Sequence, residues 1–293
     1  MTAATILIPT YRHAALLPFA LRSALAQTTA SIEVLVVGDG VEDDTRTALH
    51  PFLDDSRVRF FDFPKGERHG EAHRHETLTS AKGRIVCYLS DDDLLLPEHV
   101  TEMLRLLDRA DFAHSPAFRV RPDGSLGYRP ADLSSPVFVE RLRAGGRNAV
   151  GLTGSAHTLA AYRRLRHGWR PAPAGTPTDL HMWRQFFDLP GVTCVSGTRL
   201  THLHFPDRPR ASLDVGARVA ELEGWTRRMT EQGFRSQLDE LAIGALSTLA
   251  AAAAEENARL RDLLETVQRS LWWRLGGPVR RARRPSSRPP TTR

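Results

Sequence analysis

Along the N-terminal part of the chain, short apolar runs alternate with segments whose apolar residues recur every three or four positions. Ala4 to Ile8 reads as a buried strand and ends in the loop Pro9-Thr10-Tyr11. Leu17, Leu21, Ala24 and Leu25 then fall on one helical face. Ile32 to Val37 is a second apolar strand, closed by Gly38-Asp39-Gly40, where glycine permits a tight turn. A helix over about Asp44 to Leu53, a strand over Val58 to Phe63, a helix over Glu71 to Ala81 and a strand over Ile85 to Leu89 follow. This alternation predicts right-handed βαβ crossovers and a mostly parallel sheet covered on both faces. Ligands of such sheets bind beyond the carboxyl ends of the strands. Three of those ends carry polar clusters: Pro9-Thr10-Tyr11, Gly38-Asp39-Gly40 and Ser90-Asp91-Asp92-Asp93.

After a helix over Glu98 to Asp108 the pattern becomes mixed. A strand near Phe112 to Val120 runs into Pro122-Asp123-Gly124, a hairpin signal. A Pro-rich loop over Pro171 to Pro177, a helix from about Asp179 to Phe187 and short strands ending in His202-Leu203-His204 come next. From Ala211 the pattern is helical, with Leu238, Leu241, Leu246, Leu249, Leu260, Leu263, Leu264 and Val267 on one apolar face. The expected division is an α/β domain over 1–208, a helical appendage over 209–270 and a basic tail over 271–293.

Charge sharpens this division. The net charge is +6, and Ser270 to Arg293 hold seven arginines and no acid, so the rest of the chain carries −1. Basicity confined to a tail argues against a nucleic-acid-binding body, whose charge would lie across a folded face. Cys87 and Cys194 both sit in strand patterns, which excludes a disulfide framework and fits a reducing cytoplasm. The N-terminal apolar run reads as a first strand and not a leader, and no apolar stretch is long enough to span a bilayer. Trp272, Trp273 and the tail arginines combine interfacial aromatics with cations, a pattern suited to an anionic membrane surface. The alternative is that the tryptophans pack on the protein.

Three adjacent carboxylates after a buried strand repel one another unless a cation sits among them. Mg²⁺ or Mn²⁺ takes such oxygen ligands and shares them with substrate phosphates. The competing account is an acidic helix start before Pro97. Asp39 ends another strand, where a carboxylate can accept hydrogen bonds from a base or a ribose. Arg68, His73 and Arg74 precede the acidic cluster within reach of phosphate by placement, and Arg74 is the one singled out.

Together Ile6-Leu7-Ile8-Pro9-Thr10-Tyr11, Ala24-Leu25-Ala26-Gln27-Thr28, Glu33-Val34-Leu35-Val36-Val37-Gly38-Asp39-Gly40 and Tyr88-Leu89-Ser90-Asp91-Asp92-Asp93 with Pro97 resemble family 2 glycosyltransferases of the GT-A fold. The resemblance covers Ala4 to Phe205. It implies inverting transfer from a nucleoside-diphosphate sugar (UDP, dTDP or GDP) to a hydroxyl on a glycan, lipid-linked or small-molecule acceptor. By that likeness Pro9, Thr10, Tyr11, Asp39 and Asp91 take the nucleotide sugar, Asp92 and Asp93 the metal, and one of His202 and His204, which share a strand face, a third metal position, with His204 preferred. Asp179, in Thr178-Asp179-Leu180-His181-Met182-Trp183, matches the place of the general base, against a plain helix cap as the other reading. Two departures stand out: Gly38-Asp39-Gly40 carries one acid where two are usual, and Ser90 stands where the first acid of the cluster is expected. His157 is placed near the acceptor or in the core. Endings like Ser270-Leu271-Trp272-Trp273-Arg274-Leu275 occur in surface-polysaccharide glycosyltransferases and imply docking at the inner face of the membrane. The leucine-rich helix offers a homodimer contact. A nucleotidyltransferase and a degenerate membrane-recruited scaffold are the alternatives.

Overall fold

A computed structural model describes residues 2–128, 130–145 and 148–269. The expected alternation is present: β1 (Ala4–Thr10), α1 (Leu17–Leu25), β2 (Ile32–Asp39), α2 (Asp43–Leu49), β3 (Val58–Phe63), α3 (Glu71–Leu78) and β4 (Ile85–Tyr88). Next come β5 (Leu94–Leu95), α4 (His99–Leu106), β6 (Phe112–His114), β7 (Phe118–Val120), β8 (Leu126–Tyr128), α5 (Pro136–Arg143), β9 (Ser155–Thr158) and α6 (Leu159–Arg163). The chain continues through α7 (Thr178–Phe187), β10 (Cys194–Ser196), β11 (His202–His204), α8 (Val215–Met229) and α9 (Phe234–Arg269).

The larger sheet has the order β10-β6-β9-β4-β1-β2-β3. Strands β1 to β4 pair in parallel, and β9 runs antiparallel between β4 and β6. Strand side chains alternate between faces, and here both faces are dry. Ile6 and Ile8 join one core with Leu17 and Leu21 of α1 and Met103 of α4. Leu7 and Leu35 join the other, with Tyr162 of α6 and Trp183 and Phe186 of α7. Full burial of each such side chain contributes roughly 1.5–3 kcal/mol, which fixes the register of the central strands. Cys87 and Cys194 are free thiols on β4 and β10, and burial pushes each up to about 12.

Between Phe112 and Val120 the structure differs from the single expected strand. Ser115-Pro116 interrupts it, since proline has no N–H for a ladder. The part before joins the large sheet as β6. The part after becomes β7 in a second sheet of order β5-β11-β7-β8. The β7–β8 hairpin turns at Gly124, whose φ of 77° is open to glycine.

The boundary also lies later than the sequence places it. One compact unit extends from Met1 to Asp239, and a second begins at Glu240. Residues 209–239 belong to the first because buried Arg210 pairs with Glu221 of α8 at 2.6 Å and Trp225 meets Phe205 edge-on. In the second unit α9 exposes Leu246, Leu249, Leu260, Leu263 and Leu264. The expected tail over 271–293 lies outside the described residues.

Candidate active site

Two cavities meet where the parallel strands end. The first, of about 550 Å³, opens beyond β1, β2 and β4, and its lining includes Pro9, Thr10, Tyr11, Asp39, Arg74 and Asp91. All the residues expected to take a nucleotide therefore converge. Asp39 is buried at the end of β2, where its Oδ1 accepts the Gly66 N–H at 2.6 Å and its Oδ2 meets Lys65 Nζ at 2.7 Å. The same Lys65 ammonium lies 5.1 Å from the centre of the Tyr11 ring. Gly70 opens α3 with φ of 66°, and a Cβ there would come within 2.6 Å of Asp39 Cγ. Glycine at this position thus serves both the backbone and the carboxylate.

Arg74 is buried, with its guanidinium 4.8 Å from the Trp169 ring centre. One NH₂ donates to the His69 carbonyl at 2.9 Å, while Nε has no partner among the described residues. Burial pushes this guanidinium down from its ordinary value. It is a desolvated cation with unused donor capacity, the property that suits a phosphate oxygen.

The three adjacent acids divide their work. Asp91 accepts from the Tyr11 N–H at 3.3 Å and meets His13 Nδ1 at 2.8 Å, and that hydrogen bond raises the imidazole. Asp92 also lines the first cavity, and its Oδ2 lies 2.8 Å from an NH₂ of Arg218 on α8. Burial, then Asp93, Asp91 and Asp207, raise Asp92 well above the ordinary carboxylate range, and Arg218 opposes them. Asp93 points elsewhere. It accepts the Phe205 N–H at 2.8 Å and both its oxygens lie 3.1 Å from His204 Nδ1. Burial alone would raise Asp93, but His204, the Thr153 hydroxyl and the Phe205 N–H outweigh it and hold the carboxyl low.

The expected metal set of Asp92, Asp93 and His204 is therefore not brought together. Asp93 and His204 line a second cavity of about 350 Å³, and Asp92 does not. The three acids lie in the turn between β4 and β5, where Asp91 and Asp92 stay on the first cavity and Asp93 turns to the Phe205 N–H and His204. Instead His13, Asp92 and Asp207 place one ligand atom each within 4.8 Å of one another. The Arg218 NH₂ that contacts Asp92 also reaches Asp207 at 2.9 Å, so a protein cation bridges two of these groups. This donor set, two carboxylates and an imidazole, fits Mn²⁺ or Mg²⁺ once the imidazole is neutral.

Asp179 lines the second cavity with Asn148, Arg119 and His204. It sits in the first turn of α7, whose capping residue is Pro177. Asp179 is thus not the helix cap. Its Oδ1 accepts the Leu180 N–H at 2.8 Å, and burial raises it above the ordinary carboxylate range against that bond and one with Asn148. Ser90 and Leu152 line both cavities, so Asp179 and the Asp91–Asp92 pair stand on two sides of one partition.

His157 is a core residue. Its Nε2 accepts from Tyr88 Oη at 2.7 Å, Tyr88 accepts from Trp169 Nε1 at 2.9 Å, and burial lowers the imidazole to about 4. His73 stacks on Phe63, bonds the Pro64 carbonyl and lies 3.6 Å from Asp39. Sequence reasoning missed Lys65, His13, Asp207, Arg218 and Glu71. Glu71 accepts from the His69 N–H and from Thr178 Oγ1 at 3.0 Å, tying the first cavity's loop to the start of α7. His13 and Asp207 each follow a strand that carries named site residues, a signal that was available. Arg218, on a distant helix, left none.

The strand order, the paired cavities at strand ends and the acidic cluster after β4 define a GT-A glycosyltransferase fold. Residues 5–165 match Glycosyl transferase family 2, and the chain belongs to that family. A glycosyltransferase of uncharacterised activity from Rickettsia conorii is 33% identical over 113 residues, which are 38% of this chain and 18% of that protein. Succinoglycan biosynthesis protein ExoO of Rhizobium meliloti is 34% identical over 109 residues, 37% of this chain and 30% of its own. A Campylobacter jejuni GalNAc(5)-diNAcBac-PP-undecaprenol beta-1,3-glucosyltransferase is 26% identical over 111 residues, 38% of this chain and 36% of its own. The matches thus span well under half of each relative. Among solved structures, S. aureus TarS 1-349 superposes with a TM-score of 0.57 at 13% identity, over 83% of this chain and 70% of that one. The mannosyltransferase PcManGT from Pyrobaculum calidifontis, in complex with GDP-Man and Mn²⁺, gives 0.50 at 18% identity, over 93% and 82%. At these identities the likeness is one of fold.

Proposed function

We propose that this chain transfers a sugar from a nucleoside-diphosphate donor (UDP, dTDP or GDP) to an acceptor hydroxyl, with inversion, assisted by Mn²⁺ or Mg²⁺. The observation that carries the reading is the partition at Ser90 and Leu152, with nucleotide-type contacts on one side and a buried carboxylate on the other. Asp39 and Tyr11 hold the nucleoside, and Arg74 meets the diphosphate. Asp92, with Asp207 and His13, would hold the cation, which when bound neutralises charge on the departing diphosphate. Asp179 takes the proton from the acceptor hydroxyl as that oxygen attacks the anomeric carbon from the face opposite the leaving group. A carboxylate raised by burial is a better base than a free one, provided it is ionised at the working pH. The ion pair of Asp93 with His204 holds that wall of the second cavity in place.

Donor hydrolysis with a panel of nucleotide sugars and Mn²⁺ tests the reading. Turnover with one donor class, abolished in Asp179→Asn, supports it. Nucleotide binding with no turnover under any condition would favour a catalytically silent, membrane-recruited scaffold instead. Setting the tail against an anionic bilayer and pairing copies through α9 belong to the same reading. Among the described residues no helix is long and apolar enough to cross a membrane.

A further inference from the structure

The second cavity holds a cation that the proposed chemistry does not use. Arg119 of β7 is the register partner of His204 of β11, so the two side chains leave the small sheet on the same face. Arg121 continues the alternation on that face. Opposite Arg119 in the hairpin stands Gly127, and a Cβ there would come within 2.9 Å of an NH₂ of Arg121. The missing side chain therefore makes room for the second guanidinium beside the first.

These arginines also connect two spaces. Arg119 lines the cavity that contains Asp179, and it lines a further cavity of about 420 Å³ with Val120, Arg121, Tyr128, Pro206 and Pro209. No other residue is common to both linings. The path from Asp179 thus runs past one half-buried guanidinium, then a second exposed one, over a floor of tyrosine, proline and valine.

What distinguishes Arg119 is that no carboxylate pairs with it, whereas exposed Arg121 donates to Ser125 Oγ at 3.1 Å and to the Leu126 carbonyl at 3.4 Å and has Asp123 nearby. Arg210, Arg218 and Arg235 each meet a carboxylate at 2.9 Å or less. Among the described residues no carboxylate forms an ion pair with Arg119 or Arg121, and the neighbour of Arg119 is His204, itself a group that, against burial, Asp93 holds above the ordinary imidazole value. A guanidinium stays protonated at any working pH. Withdrawing one from water without a partner is unfavourable, and a ligand anion relieves it through paired N–H donors.

We propose that the acceptor carries a phosphate ester, held by Arg119 and then Arg121, while its hydroxyl reaches Asp179 and an apolar portion lies on Tyr128, Pro206 and Pro209. The inference rests on Asp179 facing the acceptor, and it assigns the chemistry of the group beyond the reacting sugar. Phosphate and carboxylate both offer the charge and the paired oxygens that a guanidinium fork matches. Benzoate titrated beside phenyl phosphate separates them, and tighter binding of benzoate would overturn the phosphate assignment. A neutral glycan would leave Arg119 without an anion.

Phenyl phosphate and phenyl β-D-glucoside titrated into the full chain, followed by calorimetry and by the arginine Nε–H resonances, provide the test. Phenyl phosphate should bind and the glucoside should bind far more weakly. Arg119→Gln should weaken phenyl phosphate by about ten-fold or more, and Arg121→Gln, on the open end, by about three-fold, the scale of a lost charge-assisted contact. Arg84→Gln, at an arginine that lines neither cavity, serves as the control and should leave this binding within about two-fold, the scale of a distant, independent site. Loss in Arg74→Gln with retention in Arg119→Gln would put the anion at the donor diphosphate and overturn the assignment. Equal affinity for the two probes would overturn it as well. A chain that hydrolyses donor yet ignores phenyl phosphate defeats the acceptor assignment alone, whereas phosphate binding without hydrolysis defeats the enzymatic reading alone.

Discussion

The two cavities on either side of Ser90 and Leu152 treat charge in opposite ways. In the first, each carboxylate meets a cation: Lys65 on Asp39, His13 on Asp91 and one Arg218 NH₂ on both Asp92 and Asp207. In the second, Asp93 pairs with His204, while Asp179 has hydrogen-bond donors and feels Arg74 only through space, and no carboxylate among the described residues forms an ion pair with Arg119. Carboxylates that only bind can be neutralised without loss, since their partners can be exchanged for those of a ligand. A carboxylate that must accept a proton works better desolvated and without a fixed cation, because either change strengthens it as a base.

The largest effect expected of breaking this contrast comes from Asp179→Asn. The amide keeps the shape but accepts no proton, so kcat should fall by about 10³-fold, within the usual span for a general base. Donor affinity, measured by calorimetry, should change little because the first cavity is untouched. Equal loss of binding and turnover would place Asp179 on the donor instead.

Arg218→Ala should act on the other side. Leaving Asp92 buried without its guanidinium destabilises the fold by ~3 kcal/mol, the lower end for breaking a largely buried pair. Mn²⁺ should then raise the Tm of the variant more than that of the parent, because the cation no longer competes with a protein side chain. Direct titration should show Mn²⁺ binding to be tightened about ten-fold, as expected when a competing bound state is removed. Identical Tm shifts in the two proteins would show that Arg218 does not occupy the cation's place.

How the sequence conveyed this site differs between its halves. Pro9 to Tyr11, Asp39 and Asp91 lie at the ends of parallel strands, and the βαβ pattern makes those ends neighbours in any such sheet, so their convergence was legible. The destination of each acid in a consecutive run was not, because it depends on the turn between β4 and β5 and on the β11 groups that hold Asp93. That is why Asp93 and His204 separate from Asp92. Arg119 and Arg218 were hidden for another reason: one depends on where Ser115-Pro116 sends the chain into a second sheet, the other on the docking of α8. Neither event is encoded in a local pattern. The general alternation of strand and helix was legible for the same reason that the strand ends were, since burial on both faces leaves an apolar run that spacing alone reveals.

The pH dependence separates the cavities more finely. Burial raises Asp179 above its ordinary value of 3.8. The base works only when ionised, so log kcat should fall with unit slope as pH drops through that raised value, which lies above 3.8. Stability moves the other way. With the folded value above the unfolded one, the folded protein binds the extra proton in the interval between them, so this group's contribution declines as pH rises through it. Asp179→Asn removes that decline and should have a higher Tm than the parent at neutral pH, with no difference in strong acid. A lower Tm at neutral pH would show that the ionised carboxylate is a stabilising partner there.

The smallest effect should come from Lys65→Ala. Its ammonium holds Asp39 at 2.7 Å, but the lysine side chain is 38% exposed, and a pair of that kind contributes about 0–1 kcal/mol. Asp39 would keep the Gly66 N–H, and Gly70 would still leave its carboxyl the same room. Nucleotide affinity should therefore weaken by only about three-fold, shrinking further in high salt as screening replaces the lost charge. Should the loss exceed about a hundred-fold, nearly 3 kcal/mol, Lys65 would be touching the ligand itself, and Asp39 would be its support and not the direct contact. The comparison would then be redrawn, with the first cavity keeping at least one cation for its ligand just as the second keeps Arg119.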